Sequence, residues 1–380
     1  MTPAMPDDYR SLFDLPDDQA YFNCASVAPL PRAARREIAA GAMRHARPWT
    51  ISATQWIDDV EERRSLFAAL AGVSGDAIAL VPAASYGLAT AARNLEAGPG
   101  RFVLVPADDF PSDVYTWRAF AARTGCSILT VGRDPDQDWT AAVLAAIDER
   151  VAVVAVPNVH WTDGALFDLE AIAARARDAG ARLVVDASQS FGVMPLDLAA
   201  VRPDFLVAVG YKWLLGPYGL SYLYVAEDYR GGIPLEENWI QRLGSEDFAR
   251  LVEYEDRYRP GARRYDMGQR SAFELTRAAC VGLRLIAEWE TAAISERLGA
   301  VTGRIEAAAK DLGLATTSGP LRCPHILGLA LPVPASVAAA VFARHNVHVG
   351  FRGPAVRIAP HMYTTEADVE RLLGALAELL

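Results

Sequence analysis

The chain has 380 residues, of which 52% are hydrophobic and 22% charged, and its formal net charge is -10. This composition is typical of a globular protein with a large core, and the length favours one large and one smaller domain. The negative charge argues against a broad nucleic-acid-binding face. The acidic N-terminal segment lacks a signal-peptide core and no apolar run is long enough to cross a bilayer, so we expect a cytoplasmic protein.

The cysteines and histidines give no sign of a disulfide framework or a metal centre. His345 and His348 lie three residues apart in a strand-like segment with no third ligand nearby, so we expect no bound metal. The four cysteines are scattered without a CxxC pair, which is not the pattern of a disulfide framework or a zinc site: Cys24, Cys126, Cys280 and Cys323.

Seven short apolar runs divide the first 225 residues. They are AIALV at 77, RFVLV at 101, SILTV at 127, VAVVAV at 151, RLVV at 182, FLVAV at 205 and SYLYV at 221. Alanine-rich amphipathic stretches, such as 168–180, separate most of them. Strands that are apolar on both faces and alternate with helices predict an α/β fold with a mostly parallel seven-stranded sheet between helices. The last two runs are too close for a helical crossover, so we expect SYLYV to run antiparallel.

Beyond about residue 235 the pattern changes. A long helical stretch at 271–290 precedes short strand-like segments and a final helical stretch at 365–380. This order predicts a smaller α+β domain. We expect a large domain over 31–235 and a small domain over 236–380, with the N-terminal segment 1–30 packed against the small domain.

Functional side chains follow five of the apolar runs. In an open α/β sheet, ligands bind beyond the carboxyl ends of the strands. Taken singly, each of these residues has an ordinary structural explanation, since a strand-end aspartate often caps a turn and a strand-end lysine is often solvated. The set comprises an acid, an amine, an amide, a hydroxyl near a helix start and an aromatic ring: Asp186, Lys212, Asn158, Ser85 and Phe110.

Pyridoxal phosphate is a cofactor that uses every member of this set. It requires a lysine for a Schiff base, a carboxylate that keeps its pyridine nitrogen protonated, and a flat side chain against its ring. Its phosphate suits hydroxyls and backbone N–H groups at a helix N-terminus. Lys212 stands between Tyr211 and Trp213. We expect these neighbours and partial burial to lower the lysine pKa, making the amine a nucleophile and a base.

From residue 21 almost to its C-terminus, the chain resembles the class V aminotransferase group of fold-type I pyridoxal-phosphate enzymes. That group includes cysteine desulfurases, kynureninases and isopenicillin N epimerase-like proteins. The strongest block is VVDASQSFGVMPLDLAAVRPDFLVAVGYKWLLGPYG, in which Asp, Gln and Lys fall in family order. The resemblance implies that Asp186 pairs with the pyridine nitrogen, that Gln189 bonds near the 3-hydroxyl and that Lys212 carries the cofactor. Asn158 and Tyr211 are expected to complete the cofactor site.

A second block, FPSDVY at 110–115, resembles a motif that lies over the cofactor in kynureninases. The resemblance implies that Phe110 stacks on the cofactor ring and that Asp113 lies close to it. Without it, the segment would be explained as a turn started by proline. The backbone of Ala84 and the hydroxyl of Ser85 are expected to hold the phosphate from the same subunit.

Two later residues match kynureninase positions that reach the phosphate. Trp239 lies in ENWIQR and Gln269 in RRYDMGQRS. In this fold such groups come from the second subunit. The resemblance therefore implies a homodimer with its active site at the subunit interface.

The segment FRGPAVRIAPHMYTTEADVERL resembles the C-terminal block in which one arginine of the family binds the substrate carboxylate. Arg357 takes that position, and Arg352 is a second candidate. The planar fork of arginine suits a carboxylate because it offers two parallel hydrogen bonds. Considered alone, either arginine would more commonly form a surface ion pair.

Two departures from the family bear on the reaction. The segment 342–357 lacks the loop cysteine of the desulfurases, and Gln189 stands where kynureninases have a histidine. We therefore expect the amine of a small α-amino acid to displace Lys212 in an external aldimine, after which Lys212 removes the Cα proton. Transamination or β-elimination would follow. Kynureninase-like hydrolysis and epimerisation or racemisation remain open, a desulfurase is disfavoured, and the retained site residues argue against a non-enzymatic regulator.

Overall fold

The computed structural model describes residues 9–133, 138–317, 321–352 and 355–380. The helices are α1 Arg32–His45, α2 Asp59–Leu70, α3 Ala84–Asn94, α4 Pro111–Thr124, α5 Trp139–Ala146, α6 Leu169–Asp178, α7 Leu198–Val201, α8 Thr276–Trp289, α9 Thr291–Asp311, α10 Ala335–Arg344 and α11 Glu366–Glu378. The strands are β1 Ala20–Tyr21, β2 Ile78–Val81, β3 Phe102–Pro106, β4 Ser127–Val131, β5 Val151–Pro157, β6 Arg182–Asp186, β7 Phe205–Val209, β8 Ser221–Val225, β9 Leu327–Ala330, β10 Val347–His348, β11 Gly350–Arg352 and β12 Ala355–Ile358. Of the described helices, none is long and apolar enough to cross a membrane.

Seven strands form one central sheet in the order β2-β8-β7-β6-β5-β3-β4. Strand β8 runs antiparallel to both β2 and β7, whereas β7, β6, β5, β3 and β4 are parallel to one another. The predicted α/β fold, with its seven-stranded, mostly parallel sheet and its reversed last strand, is confirmed. The parallel strands therefore end at a common edge of the sheet, where the polar strand-end residues meet.

Helices cover both faces of this sheet. Successive side chains of a strand point to opposite faces, so each parallel strand contributes to two cores. Val207 of β7 belongs to the cluster that contains Leu88 of α3, whereas its neighbour Leu206 belongs to the cluster that contains Phe67 of α2. All the residues of β5 and β7 are buried, which explains why their sequences are continuously apolar.

Two smaller sheets bring the ends of the chain together. Strands β11, β12 and β9 form an antiparallel sheet, and β1 pairs in parallel with β10. The described part of the N-terminal segment, residues 9–30, thus contacts the C-terminal part of the chain. Helix α8 packs against α1 and α2, so the range 236–380 also contributes to the layer beside the large sheet. The domain boundaries at residues 30 and 235 stay a prediction.

Helix α8 also supports the loop that follows β7. A Cβ at Gly282 would lie 2.2 Å from the carbonyl oxygen of Leu214, so only glycine permits this approach. Within the loop, Gly216 N–H donates to the carbonyl of Gly210 at 2.8 Å, and Leu215 adopts a φ of 55°. These contacts fix the backbone on both sides of Lys212.

Close packing of α3 on β7 yields a stability prediction. A Cβ at Gly87 would lie 2.6 Å from Cγ1 of Val207. We expect Gly87→Ala to lower the free energy of unfolding by about 1–3 kcal/mol, because the sheet must shift to admit the methyl group. Chemical denaturation measures the change.

The matched control is Gly303→Ala in α9, where an added Cβ meets nothing within 4 Å. Alanine should stabilise that helix by roughly 0.5–1 kcal/mol, since it restricts the unfolded chain and favours the helix. The same effect at both positions would contradict the close approach of α3 to β7.

Candidate active site

A cavity of about 200 Å³ lies at the carboxyl edge of the central sheet. It is bounded by the turn after β2, the segment before α4, the ends of β5 and β6, and the loop after β7. Seven of the residues predicted from the sequence line it: Ala84, Ser85, Phe110, Asp186, Gln189, Tyr211 and Lys212. The sequence reasoning therefore selected residues that the fold brings to one place.

Lys212 is buried, with 9% of its surface exposed. Its Nζ lies 5.7 Å from the ring centroid of Phe110 and 5.9 Å from that of Tyr211. Burial lowers the pKa of the amine to about 8, although the charge of Asp186 opposes this shift. The nearby guanidinium of Arg357 lowers the pKa further. A substantial fraction of the neutral amine is therefore present near neutral pH.

The sequence contains only one other lysine, Lys310. Its side chain is 57% exposed, and its Nζ pairs with Oε1 of Glu306 at 2.7 Å. Lys310 is therefore a solvated ion-pair residue, and Lys212 is the lysine whose surroundings suit covalent chemistry.

Three carboxyl groups lie close together beside Lys212. Asp186 ends β6 and accepts a hydrogen bond from the backbone N–H of Ser188 at 2.7 Å. Burial, followed by the charge of Asp186, raises the pKa of Asp113 well above its usual range. Burial chiefly raises the pKa of Asp109 to about 7, and Asp186 adds to the effect. Asp186 therefore contributes to the raised pKa of both neighbouring carboxyl groups.

Both polar atoms of the Gln189 side-chain amide form hydrogen bonds. Its Nε2 donates to the carbonyl of Ala25 at 3.0 Å, and its Oε1 accepts from Nε1 of Trp213 at 2.9 Å. Its backbone carbonyl accepts from Nε2 of His325 at 2.5 Å. One hydrogen of the amide remains for a ligand in the cavity. Trp213 thus serves to orient Gln189, while Tyr211 faces the cavity.

The N-terminus of α3 forms one wall of the cavity. Ala83 stands at the N-cap position and offers no side-chain hydrogen bond to the first backbone N–H groups of the helix. The cavity is also lined by Ala84 and Ser85, which present backbone N–H groups and a hydroxyl. Such an uncapped helix start favours an anionic group.

Arg357 extends from β12 and is almost completely buried, with 1% exposed. Its Nη1 donates to the carbonyl of Trp161 at 2.6 Å, while its Nε and Nη2 have no hydrogen-bond partner in the described residues. Burial, together with the charge of Arg352, lowers its pKa to about 9. Two unpaired N–H groups on one buried guanidinium suit a carboxylate ligand.

Several predicted residues do not line this cavity. The side chain of Asn158 points elsewhere and donates to the carbonyl of Phe167 at 3.2 Å. Asp113 lies behind the cavity in the first turn of α4. Trp239 packs against Trp56 with ring centroids 5.7 Å apart, and Gln269 is exposed. Cofactor-binding roles for these residues stay predictions, and those of Trp239 and Gln269 require a second subunit.

The four cysteines are all buried and free. Cys24 is nearest to the cavity, with its Sγ 4.0 Å from the carbonyl of Lys212, and burial raises its pKa far above the usual thiol range. Burial likewise raises the pKa of Cys323 to about 12 and that of Cys280 to about 11. These thiols lack the exposure and thiolate character of a nucleophile.

Asp109 and Trp161 are among the lining residues that were not predicted from the sequence. Asp109 lines the cavity and directly precedes Phe110, the first residue of the FPSD motif. Trp161 lies three residues after Asn158, and its ring meets that of Phe110 edge-on at 5.4 Å. Both belong to segments that follow a strand, so their positions in the chain were the available signal.

Comparison with known proteins agrees with this geometry. The aminotransferase class-V family model matches residues 42–372. The chain is 28% identical to the uncharacterized aminotransferase YcbU of Bacillus subtilis, over 98% of both chains. It is 26% identical to isopenicillin N epimerase of Amycolatopsis lactamdurans, over 94% of both.

Solved structures share the fold. A C-DES mutant with glycine covalently linked to its PLP cofactor superposes with a TM-score of 0.86 at 22% identity, over 98% of this chain and 100% of that one. Cysteine desulfurase from Thermococcus onnurineus gives 0.83 at 19% identity, over 99% and 98%.

The low pKa of Lys212 gives a prediction for the cofactor-free protein. Trace acylation with acetic anhydride across a pH series, followed by peptide mass spectrometry, should show Lys212 becoming reactive with a midpoint near 8. The amine is protonated and unreactive below that pH and neutral above it.

The variant Lys310→Arg should leave this profile unchanged. Because the two lysines fall in different peptides, Lys212 can be followed by itself. A midpoint at the ordinary lysine value of about 10.4 would contradict the burial of the amine.

Proposed function

The chain belongs to the class-V aminotransferase family, and from this premise we propose that the Lys212 cavity binds pyridoxal phosphate and acts on a small α-amino acid. The predicted family, cofactor and enzyme class, an aminotransferase or lyase, are confirmed at the level of the family. The observation that carries the proposal is a cavity lined by a buried amine and a strand-end carboxylate, Lys212 and Asp186. Arg357 does not line this cavity, but its charge acts on Lys212, and two of its buried N–H groups lack a partner in the described residues.

The residues present fit this cofactor. Lys212 would hold its aldehyde carbon, and Asp186 would hold a proton at its ring nitrogen. The uncapped start of α3, with Ser85, would bind the phosphate, since this helix end has no side-chain cap of its own. The ring of Phe110 is 40% exposed and available for stacking. The free hydrogen of Gln189 would reach a ring substituent.

Different residues of the chain would then have different roles in catalysis. When bound, pyridoxal phosphate supplies an electron sink for the negative charge that develops at Cα. Lys212 takes the Cα proton at Nζ, and its low pKa supports this role near neutral pH. Arg357 orients the α-carboxylate through Nε and Nη2. The walls formed by Tyr211 and Phe110 shield the amine from solvent.

The fate of the deprotonated substrate defines the reaction class. We propose transamination or β-elimination. A desulfurase mechanism requires an accessible thiolate, whereas all four cysteines are buried, and burial raises the pKa of Cys24, Cys280 and Cys323. The relatives include isopenicillin N epimerases and kynureninases. Racemisation and hydrolysis are therefore the alternative reactions that the test must distinguish.

We further propose a homodimer in the cytoplasm. Trp239 and Phe248 pack together on the surface with ring centroids 5.6 Å apart, and both are more than one-third exposed. Tyr254, nearby in the chain, is 93% exposed. An exposed aromatic patch suits a subunit interface, and such an interface would deliver Gln269 to the partner's phosphate site.

The reaction class is tested with the purified holoenzyme and a panel of amino acids and α-keto acids. We expect either new amino acids, from transamination, or pyruvate and ammonia, from β-elimination, with a change in the absorbance of the bound cofactor. Asp186→Asn is the control, since it keeps the shape of the cavity but removes the charge, and turnover should fall by orders of magnitude. Exclusive racemisation, hydrolysis or persulfide release would reject the proposed class.

Replacing Arg357 tests the carboxylate site. Arg357→Lys keeps a positive charge but loses the two parallel donors. We expect KM for the amino acid to rise by roughly 10-fold or more, in line with the loss of a charge-assisted hydrogen bond. The absorbance of the bound cofactor should stay unchanged. Arg352→Lys is the comparison, and a rise in KM confined to that variant would transfer the role to Arg352.

A further inference from the structure

A larger groove of about 970 Å³ adjoins the Lys212 cavity, and we propose that this groove holds a substrate side chain bearing a second carboxylate, bound by Arg352. The inference rests on the proposed function and specifies its substrate class as α-amino dicarboxylates. Trp161 and Asp109 line both the cavity and the groove, so a side chain extending from Cα into the groove would pass beside these two residues.

Trp161 forms the wall between the two spaces and is held firmly. Its Nε1 donates to the carbonyl of Asp108 at 2.8 Å, and its ring meets Phe110 edge-on. The guanidinium carbon of Arg352 lies 5.2 Å from the centroid of the same indole. The indole therefore positions the Arg352 cation at the groove through a cation–π contact.

The two arginines of the groove differ in their partners. Nη2 of Arg133 forms an ion pair with Asp163 at 2.6 Å. Arg352 has no carboxylate partner among the residues that the structure describes; its Nη1 donates only to the carbonyl of Phe351, and its Nε is buried without an acceptor. The Arg352 charge is therefore available for an anionic ligand.

Among the other polar groups of the groove, the His160 ring is already engaged, whereas Nε1 of Trp139 is buried without a partner in the described residues. Nδ1 of His160 contacts Oγ1 of Thr162 at 2.7 Å, and its Nε2 contacts the carbonyl of Ala107 at 3.2 Å. Burial lowers the pKa of this imidazole, which favours its neutral form. Of the cations in the described lining of the groove, Arg352 is the one without a carboxylate partner.

Arg352 and Arg357 form a pair of like charges on one hairpin. In the β11–β12 register, Gly350 faces Arg357 and Arg352 faces Ala355. Arg357 donates to the backbone carbonyl of Trp161, while Arg352 lies over the ring of that residue. Each guanidinium disfavours the charge of the other unless anions bind between or beside them. A dicarboxylate would neutralise both cations, whereas a monocarboxylate would leave one uncompensated.

Arg357 and Arg352 differ in how deeply they are buried. Arg357 is almost completely buried, and its charge influences Lys212 more strongly than the charge of Arg352 does. The α-carboxylate, which must stay near the reacting Cα, therefore belongs at Arg357. Arg352 is half-buried at the groove, where a longer side chain would place its terminal carboxylate.

The test compares acidic amino acids with neutral partners of similar shape. The pairs are L-aspartate with L-asparagine, L-glutamate with L-glutamine, and L-2-aminoadipate with L-norleucine. Dissociation constants are measured on the holoenzyme, without a keto-acid co-substrate, from the absorbance of the bound cofactor and by calorimetry. We expect the acidic member of at least one pair to bind roughly 10-fold more tightly, as for a charge-assisted contact.

Arg352→Gln should remove that preference and leave the binding of the neutral member unchanged. Arg352→Lys should restore part of it. The charge-matched control is Arg344→Gln, which removes a cation paired with Glu378 outside the groove and should leave every ratio unaltered.

Two outcomes would overturn the inference alone: binding of all pairs without preference, or an acidic preference that persists in Arg352→Gln. If no amino acid alters the cofactor absorbance or binds by calorimetry, the proposed function itself fails and this inference fails with it.

Discussion

The burial of one ammonium group at the carboxyl edge of a parallel sheet is the constraint on which this active site depends. Removing Lys212 from water disfavours its charge, and only nearby carboxylates offset that cost. The pairing of β6 with β7 supplies the compensating group, since Asp186 lies opposite Val207 in the parallel register. The same arrangement that balances the charge also places an acid and a base on one cavity.

The other ionisable groups around Lys212 also affect the net charge of the site. Asp109 and Asp113 have raised pKa values and can remain partly protonated, so they add little negative charge close to Asp186. On the opposite side, Arg357 and Arg352 lack carboxylate partners in the described residues. Anionic ligands are therefore favoured at two places: at the uncapped start of α3 and beside the arginine pair.

The burial of the cysteines also limits which reactions the site can support, because a buried thiol is a poor nucleophile. A thiol near Lys212 exists in Cys24, whose Sγ lies 4.0 Å from the Lys212 carbonyl, but burial keeps this thiol protonated. Structural likeness to C-DES and to a cysteine desulfurase at about 20% identity reflects a shared scaffold, on which different chemistry depends on individual side chains. The choice between reactions therefore rests on the groups around Cα.

The sequence by itself determined the sheet, because strands buried on both faces must be continuously apolar, and it identified the strand-end residues Asp186, Lys212 and Gln189. It could not show that the Asn158 amide turns toward Phe167, since a side-chain direction is decided by packing. Nor could it distinguish the paired Arg133 from the unpaired Arg352, because ion pairs form between residues distant in the chain. Tertiary structure alone decided which charges remained unpaired, since that depends on which elements fold together.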